Sequence, residues 1–243
     1  MSAALYPLPL AVRPRVAIND PLRCRLEALA PGAADAIGLG HQRRPSRTIR
    51  ARREILREGE CPAATLAIQS GWAAFARHFP DGRRQIQHLL LPGDIVGLGP
   101  RVPLTSSLLA LTPVTLVELD PPSTEPGAAL DQAVRRYAAL TLQQLLNAVC
   151  RVGRQSAQER FAHLLLELRD RLQLAGLGDG NRFEMPLTQE MLADTLGLTS
   201  VHVNRTLQAM RQQSLVTLRE REVVLLDAAA LARIADYQSP ALA

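Results

Sequence analysis

The sequence predicts an α+β fold: a β-barrel or jelly roll, then a long helix, then a C-terminal winged helix-turn-helix. Three stretches support this class. Residues 42–120 contain short strand-like runs separated by Gly and Pro, as all-β domains do. Residues 127–152 lack Pro and are rich in Leu, Ala, Gln and Arg, which is typical of a long helix. Residues 189–208 have the pattern of two short helices joined by a tight turn.

The composition is that of a globular protein. The chain has 243 residues, enough for one large domain or two modest ones with a substantial core. Its apolar content is 47%, yet no run approaches the ~20 apolar residues that span a membrane. Residues 1–20 lack the apolar segment and cleavage site of a signal peptide, so we expect a flexible tail and a cytoplasmic protein. All 28 basic residues are Arg, which with abundant Ala, Gly and Pro indicates a GC-rich, bacterial coding sequence.

The first folded part is predicted over residues 21–125. Its beginning, residues 21–39, is apolar and interrupted by Pro31-Gly32, which predicts one or two short helices. The turn signal Pro80-Asp81-Gly82 separates two strand-like runs, which should therefore form a hairpin. A second corner is predicted at Leu91-Pro92-Gly93-Asp94. Regularly spaced short strands favour a barrel or jelly roll. The strand-like runs are 65–69, 73–78, 85–91, 95–98 and 115–119.

Residues 126–152 are predicted to be a dimerisation helix. Apolar residues recur there at spacings of four, three, four and three, which makes the narrow seam that coiled coils use. A related apolar run, Leu130, Val134 and Tyr137, lies just before this seam. The alternative is a long helix packed on its own barrel; we favour dimerisation because readers of DNA usually need two half-sites. The seam residues are Ala138, Leu142, Leu145, Val149 and Val152.

Residues 153–243 are predicted to form the winged helix-turn-helix domain. Gly153 marks a break in the helical pattern, and a second helix follows that ends near Ala175. The inner face of this second helix is predicted to consist of Phe161, Leu164, Leu165 and Leu168.

The helix-turn-helix is specified by residue types at a few places. Ala193 is small enough for two helices to cross closely, and Gly197 tolerates the positive φ of the tight turn. Val203 supplies the inward-facing anchor of the second helix. Thr188 and Thr199 each stand just before a helix, where N-cap residues belong.

A wing and a last helix complete the predicted domain. Residues 215–219 and 222–226 are predicted to be two strands around a charged turn, and Asp227 caps a helix over residues 228–237. Residues 183–226 hold four Arg against five acidic residues, although the whole chain has a net charge of +5. DNA affinity must therefore depend on local placement of charge, on helix N-termini and on doubling of the site in a dimer. The most basic run, residues 41–57 with seven Arg and one Glu, is interpreted as a solvated surface.

The order of these elements and several local motifs resemble the Crp/Fnr family of bacterial transcription regulators. The resemblance covers nearly all of residues 22–237 and is most specific in the helix-turn-helix. It implies a cyclic-nucleotide-binding-like jelly roll, a homodimer with paired seam helices, a near-palindromic double-stranded DNA operator and an interaction with RNA polymerase. The motifs are ILREGE (55–60), SGW (70–72), DGRRQI (81–86), LPGDIVGL (91–98), QERFAHLLLEL (158–168) and LTQEMLADTLGLTSVHVNRTLQAM (187–210).

The family reads bases from the start of its recognition helix, and the resemblance places this role on Ser200, Val201, Asn204 and Arg205. Arg205 matches the family's arginine, and a guanidinium can bind guanine O6 and N7 with two hydrogen bonds. Asn204 suits an adenine or a phosphate. Val201 departs from the glutamate of well-studied members; it can contact a thymine methyl group but cannot accept from cytosine, so the half-site should differ from the best-known ones.

Four further residues are candidates for phosphate contacts. Thr199 and His202 lie at the N-terminus of the recognition helix, although His202 is equally consistent with a side chain that merely faces solvent. Arg219 and Arg221 lie at the turn of the wing, where two neighbouring glutamates weaken the case.

The sequence argues against cyclic AMP as the effector. Family members that bind it use a Gly-Glu pair and an Arg-Ser or Arg-Thr pair, and these places hold Gly97-Leu98 and Leu104-Thr105 here, with Arg101 nearby but displaced. A buried phosphate without a cationic partner is costly. The three cysteines are too far apart for a disulfide framework or a metal cluster. We therefore predict no cofactor and no metal, and the effector stays open between another small molecule, a redox signal at one cysteine, or none.

Two other functions compete with DNA binding. LPGD resembles a corner of cupin barrels, but a cupin-like ligand-binding barrel or enzyme lacks its His-x-His metal ligands here, and no nucleophile motif or phosphate loop is present. The other alternative is a winged helix that docks a partner protein. We therefore predict a DNA-binding regulator rather than an enzyme.

Overall fold

The computed structural model describes residues 20–36, 46–98, 102–119 and 128–240. The predicted tail lies almost wholly outside these residues, as does Arg101. Within them, no helix is both long and apolar enough to cross a bilayer. The elements are α1 (Pro21–Leu29), α2 (Ala33–Ala36), β1 (Ser46–Ile49), β2 (Glu54–Leu56), β3 (Thr65–Ser70), β4 (Ala73–His78), β5 (Arg84–Leu90), β6 (Ile95–Val96), β7 (Ser107–Ala110), β8 (Val114–Leu119), α3 (Ala128–Arg154), α4 (Ala157–Leu174), β9 (Arg182–Glu184), α5 (Gln189–Leu196), α6 (Ser200–Gln212), β10 (Val216–Arg219), β11 (Glu222–Leu225) and α7 (Ala228–Ala235).

The strands β1 to β8 form the predicted jelly roll. One antiparallel sheet has the order β1-β8-β3-β6 and the other β2-β7-β4-β5. Ile68 and Leu116 of the first sheet and Leu90 and Leu108 of the second are at most 2% exposed and belong to the core that the sheets share. The predicted hairpin is confirmed: β4 pairs with β5, and His78 stands opposite Arg84 next to the turn.

Three strands of the jelly roll escaped prediction for different physical reasons. β1 carries exposed, polar side chains because it is the edge strand of its sheet, so it shows no apolar alternation. β2 has three residues, too few to show a period. β7 is buried at every position, because the sheet β2-β7-β4-β5 is covered on both faces.

The helix α4 covers the outer face of that second sheet. Its predicted inner residues Phe161, Leu164, Leu165 and Leu168 are all at most 1% exposed. They share one apolar cluster with Trp72 and other residues of the sheet's outer face. The same cluster continues through α5, α6 and the wing strands, so the jelly roll and the C-terminal elements share a continuous interior.

The long helix ends later than predicted. Gly153 lies inside α3, which runs to Arg154. The break is set instead by Ser156, whose hydroxyl accepts from the Glu159 amide while the Glu159 carboxylate accepts from the Ser156 amide at 2.6 Å, a reciprocal capping box. An exposed glycine costs a helix only about 1 kcal/mol, so Gly153 does not end it.

The N-terminal part of α3 packs on its own protomer. Ala133 and Tyr137 are buried in a cluster with α1 residues such as Leu26, and Leu130 is buried as well. The Tyr137 hydroxyl also accepts from the Ile95 amide at 2.9 Å. For this first part of the helix, packing on its own barrel is therefore the correct interpretation.

A cluster of charged side chains is buried where α1, the β5–β6 corner, α3 and α4 meet. Asp94 pairs with Arg25 and with Arg171, the latter at 2.8 Å. Glu167 pairs with Arg151 at 2.9 Å and with Arg171 at 3.4 Å. All five side chains are at most 7% exposed. This buried charge cluster links the barrel to the elements on its C-terminal side.

The arginines decide the ionisation of the two carboxylates in the buried charge cluster. Burial alone raises the pKa of Asp94, but the charges of Arg25 and Arg171 outweigh it and hold the pKa below its usual range. Glu167 behaves in the same way, with Arg151 and Arg171 outweighing burial, so its pKa is also lowered. Both groups are therefore charged at neutral pH, and three buried cations face two buried anions.

Candidate nucleic-acid interface

The helix-turn-helix has the local geometry that its residue types predict. Thr188 and Thr199 cap α5 and α6, each hydroxyl accepting from the backbone amide three residues later at 3.2 Å. Gly197 adopts φ 63°, the left-handed conformation that the turn requires. Ala193 is buried where the helices meet, and Val203 is 0% exposed.

The helix α4 holds this turn in place, and the end of α3 lies nearby. Arg160 of α4 donates to the carbonyl of Leu196 at 2.9 Å and reaches that of Gly197 at 3.4 Å. A cation suits this place because the last carbonyls of α5 lack partners within the helix. A Cβ atom on Gly197 would lie 3.7 Å from a methyl group of Val152 at the end of α3. The sequence predicted neither contact, because both partners are distant along the chain.

The first turns of α6 form an exposed surface. Ser200, Val201, His202 and Arg205 are exposed and Asn204 is half-buried. Val201 is 75% exposed, so its methyl groups are open to solvent. The structure therefore brings the predicted base-reading residues together on one face. This face forms a shallow groove, and the sequence analysis did not predict two of its lining residues, Gln189 and Gln208. The groove is lined by Gln189, Ser200, Val201, Asn204, Arg205 and Gln208.

The wing is a three-stranded sheet with the order β10-β11-β9. β9 was missed because only three residues form it. The turn between β10 and β11 consists of Glu220 and Arg221, both at positive φ, which is the geometry of a two-residue hairpin loop. Arg219 and Arg221 are both exposed at this tip.

Two ion pairs offset the acid excess of this part of the chain. Glu222 of the wing accepts from Arg182 through both carboxylate oxygens at 3.1 Å. Asp194 of α5 pairs with Arg84, which belongs to the barrel strand β5, at 2.5 Å. Neither arginine lies among the four counted in residues 183–226, so the local charge is less acidic than that segment's composition suggests.

The predicted seam on α3 is exposed over its whole length. Leu142 is 58% and Val149 67% exposed, and Ala138, Leu145 and Val152 are exposed as well. Leu146, which the spacing did not include, is a further exposed apolar side chain on this helix, at 58%. Within this chain each of these apolar side chains is at least partly open to water.

A cavity of about 600 Å³ lies between the barrel, α3 and α5. Leu104 and Thr105 line it, at the places where the resemblance would require an Arg-Ser or Arg-Thr pair. His88 also lines it, and burial together with the charge of Arg171 lowers its pKa to about 4, so it is neutral at pH 7. The described lining residues contain no arginine: Phe75, Gln85, Ile86, Gln87, His88, Leu104, Thr105, Ser106, Thr141, Leu145, Ala148, Val149, Val152 and Thr195.

A two-sheet jelly roll, a long helix with an open apolar face and a winged helix-turn-helix define a regulator that binds DNA. Residues 159–234 match the Crp-like helix-turn-helix domain and residues 46–125 match the cyclic nucleotide-binding domain. The chain is 30% identical over 193 residues to the transcriptional activator protein FnrL of Cereibacter sphaeroides, covering 76% of this chain and 78% of that protein.

Further relatives agree. The nitrogen fixation regulation protein FixK of Bradyrhizobium diazoefficiens is 32% identical over 185 residues, covering 74% of this chain and 78% of FixK. The solved structure of FixK2 from Bradyrhizobium japonicum superposes with a TM-score of 0.68 at 25% identity, covering 79% of this chain and 98% of that one. The chain belongs to the Crp/Fnr family of bacterial transcription regulators. Members of this family are regulators and not enzymes, so the cupin-like enzyme alternative is wrong.

Proposed function

We propose that this DNA-binding transcription regulator works as a homodimer that reads a near-palindromic operator and acts on RNA polymerase in the bacterial cytoplasm. The observation that carries the proposal is the exposed face of α6, where the predicted base-reading side chains lie together, beside a turn that Arg160 of α4 bonds. In this division of labour residues 21–125 form the sensor-like barrel, 126–152 the dimerisation helix and 153–243 the DNA reader.

The open apolar face of α3 supports the homodimer. Burying a large apolar side chain such as Leu142 or Val149 stabilises a protein by roughly 1.5–3 kcal/mol relative to leaving it in water. Their spacing suits a second copy of the same helix, because paired helices repeat their contacts every 3.5 residues. Two readers related by a two-fold axis would then meet two half-sites of inverted sequence.

Base choice is assigned to the start of α6. Arg205 is the proposed reader of guanine, with Ser200 and Asn204 beside it on the same face. Val201 is exposed to a degree that leaves its methyl groups free to contact a thymine methyl group. The proposed half-site therefore contains a guanine and a nearby thymine.

Phosphate contacts are assigned to the N-terminus of α6 and to the wing. The Thr199 hydroxyl accepts from the His202 amide at 3.2 Å, so its own proton is available to a phosphate oxygen. His202 is exposed on the first turn, where the helix dipole favours an anion. Arg219 and Arg221 add two cations at the tip of the wing, and the pairing of Glu222 with Arg182 lessens the opposition of the neighbouring acids.

The barrel is proposed not to use cyclic AMP in the family manner. The cavity beside α3 holds Leu104, Thr105 and a neutral His88 where a cyclic phosphate would need a cation. Calorimetric titration of cyclic AMP at millimolar concentration should show no tight one-to-one binding. Tight saturable binding would overturn this part of the proposal.

The first experiment is selection of bound sequences from a random duplex pool with purified, effector-free protein. A two-fold symmetric consensus, with half-sites about one helical turn apart, is the expected result. Binding should also weaken with salt, with a slope of about −0.9 per phosphate neutralised. If no sequence is enriched and binding ignores salt, the winged helix docks a partner protein instead.

The variant Arg205→Ala tests the assignment of base reading to α6. Loss of two hydrogen bonds to one base should cost about 1–3 kcal/mol and relax specificity at one base pair of each half-site. Arg233→Ala is the control, because Arg233 is an exposed arginine of α7, outside the proposed interface. If both variants keep the wild-type consensus, the assignment of α6 positions is incorrect.

A further inference from the structure

The barrel holds the DNA reader directly through strand β5. Arg84, the first residue of β5, donates to one carboxylate oxygen of Asp194 through Nε at 2.8 Å and Nη2 at 2.5 Å. Its neighbour Gln85 donates through Nε2 to the backbone carbonyl of Asp194 at 2.7 Å. We call this set of three hydrogen bonds the β5 clasp. The side chains of Arg84 and Asp194 are 25% and 19% exposed, so water screens the pair only in part.

The β5 clasp acts on the recognition helix through α5. Asp194 lies next to Ala193, where α5 packs on α6, and the turn between the helices is held by Arg160. The helix pair is thus fixed at two separated places, at its turn by α4, and on the side of α5 by the barrel. Two such points restrain rotation of the reader as well as its translation.

The arrangement that the β5 clasp stabilises leaves the reading face free. With Arg84 bound to Asp194, Val201 and Arg205 remain exposed. The barrel therefore binds the helix pair through α5 and does not cover the surface of α6 that is assigned to DNA.

We propose that Arg84 and Gln85 are positioning residues for DNA reading: they set the orientation of each reader and so the distance between the two recognition helices of the dimer. This inference rests on the proposed dimeric reading. Coupling between two sites of a protein typically changes ligand affinity 5- to 150-fold, and we expect an effect near the low end of this range from one set of contacts. Loss of the β5 clasp should therefore weaken binding and, more specifically, blunt the preference for one spacing between half-sites.

The test is Arg84→Glu in the full chain, with binding measured to the selected duplex and to duplexes with one or two base pairs inserted between the half-sites. Wild-type protein should strongly prefer the selected spacing. Arg84→Glu should lose about tenfold on the selected duplex and should lose a smaller factor on the inserted ones. Gln85→Ala removes a bond without changing charge and should shift the spacing preference in the same direction.

Arg83→Glu is the matched control for charge. Arg83 is the neighbouring arginine, but its side chain pairs with Asp81 of its own turn at 2.7 Å and does not reach the reader. The double change of Arg84→Glu with Asp194→Arg restores an ion pair of opposite direction and should recover both affinity and spacing preference.

Three outcomes would overturn the inference. Arg84→Glu that behaves like Arg83→Glu would mean that the β5 clasp has no influence on reading. Arg84→Glu that binds more tightly would mean that the clasp holds the reader away from DNA. Wild-type protein that binds one half-site regardless of spacing would contradict this inference and the dimeric reading together, whereas the first two outcomes leave the dimeric reading intact.

Discussion

The buried charge cluster makes the effect of Asp94→Asn on stability large and specific. Asp94 is 2% exposed and accepts from Arg25, from Arg171 and from the Leu91 amide at 2.6 Å. Asparagine keeps the shape and one acceptor oxygen but removes the negative charge. Two buried guanidinium groups then lose their shared counter-ion, and removing one partner of a buried pair costs about 3–5 kcal/mol.

The assay is urea denaturation at fixed protein concentration, since the stability of the proposed dimer would depend on concentration. Asp81→Asn is the control: it makes the same chemical change at another corner, but Asp81 is 51% exposed in its pair with Arg83. Exposed pairs contribute little, so the control should leave the midpoint nearly unchanged. Adding Arg25→Met to Asp94→Asn should recover part of the loss, because it removes one unpaired buried cation.

The same cluster predicts an acid limit to stability. The pKa values of Asp94 and Glu167 are lowered in the folded protein, so these groups contribute stability above their unfolded pKa values near 4. That contribution is lost as the pH falls below about 4 toward the folded pKa values. The acid loss of stability should be shallower in Asp94→Asn. If Asp94→Asn is no less stable than Asp81→Asn, and its acid profile matches wild type, the electrostatic reasoning is refuted.

Two further predictions concern the dimer and a crowded turn. Leu145→Asp should halve the sedimentation mass and weaken operator binding. Leu226→Asp is the control, because Leu226 is an exposed apolar residue of the C-terminal region, and this variant should stay dimeric. If Leu145→Asp is still a dimer, the seam assignment is refuted. Gly71 and Gly82 both have positive φ, but a Cβ atom on Gly71 would lie 2.0 Å from the Pro113 carbonyl oxygen, whereas Gly82 has open space. Gly71→Ala should therefore lower the free energy of unfolding by about 2–4 kcal/mol and Gly82→Ala by only about 1–2 kcal/mol, measured by urea denaturation. Equal losses would mean that backbone strain alone sets the cost of both substitutions.

Prediction from sequence succeeded where the governing chemistry is local. The helix-turn-helix depends on caps within three residues and on one left-handed glycine, so Thr188, Thr199 and Gly197 were sufficient to specify it. The β4–β5 hairpin follows from a turn signal in the same way. The end of α3 was predicted at Gly153, but the capping box at Ser156 sets the break between the helices instead.

Features that join distant parts of the chain gave no sequence signal. Arg171 is 77 residues from Asp94, and Arg84 is 110 residues from Asp194. The sequence does not show which acidic residue each arginine pairs with, because the fold brings the partners together. Neither the buried charge cluster nor the β5 clasp could therefore be predicted. The same holds for the roles of Gln189 and Gln208, which enter the groove only because α5 and α6 cross there.

The continuous interior that runs from the second sheet through α4 into the reader has an evolutionary consequence. The matches to known domains divide the chain at residues 46–125 and 159–234, as if sensor and reader were separable modules. The packing does not divide there, because Trp72 of the barrel and Phe161 of α4 share one cluster with the reader. A recombination event that exchanged only the reader would join two surfaces that had not evolved together. We therefore expect a chimaera that exchanges residues 159–234 alone to be less stable than the intact chain.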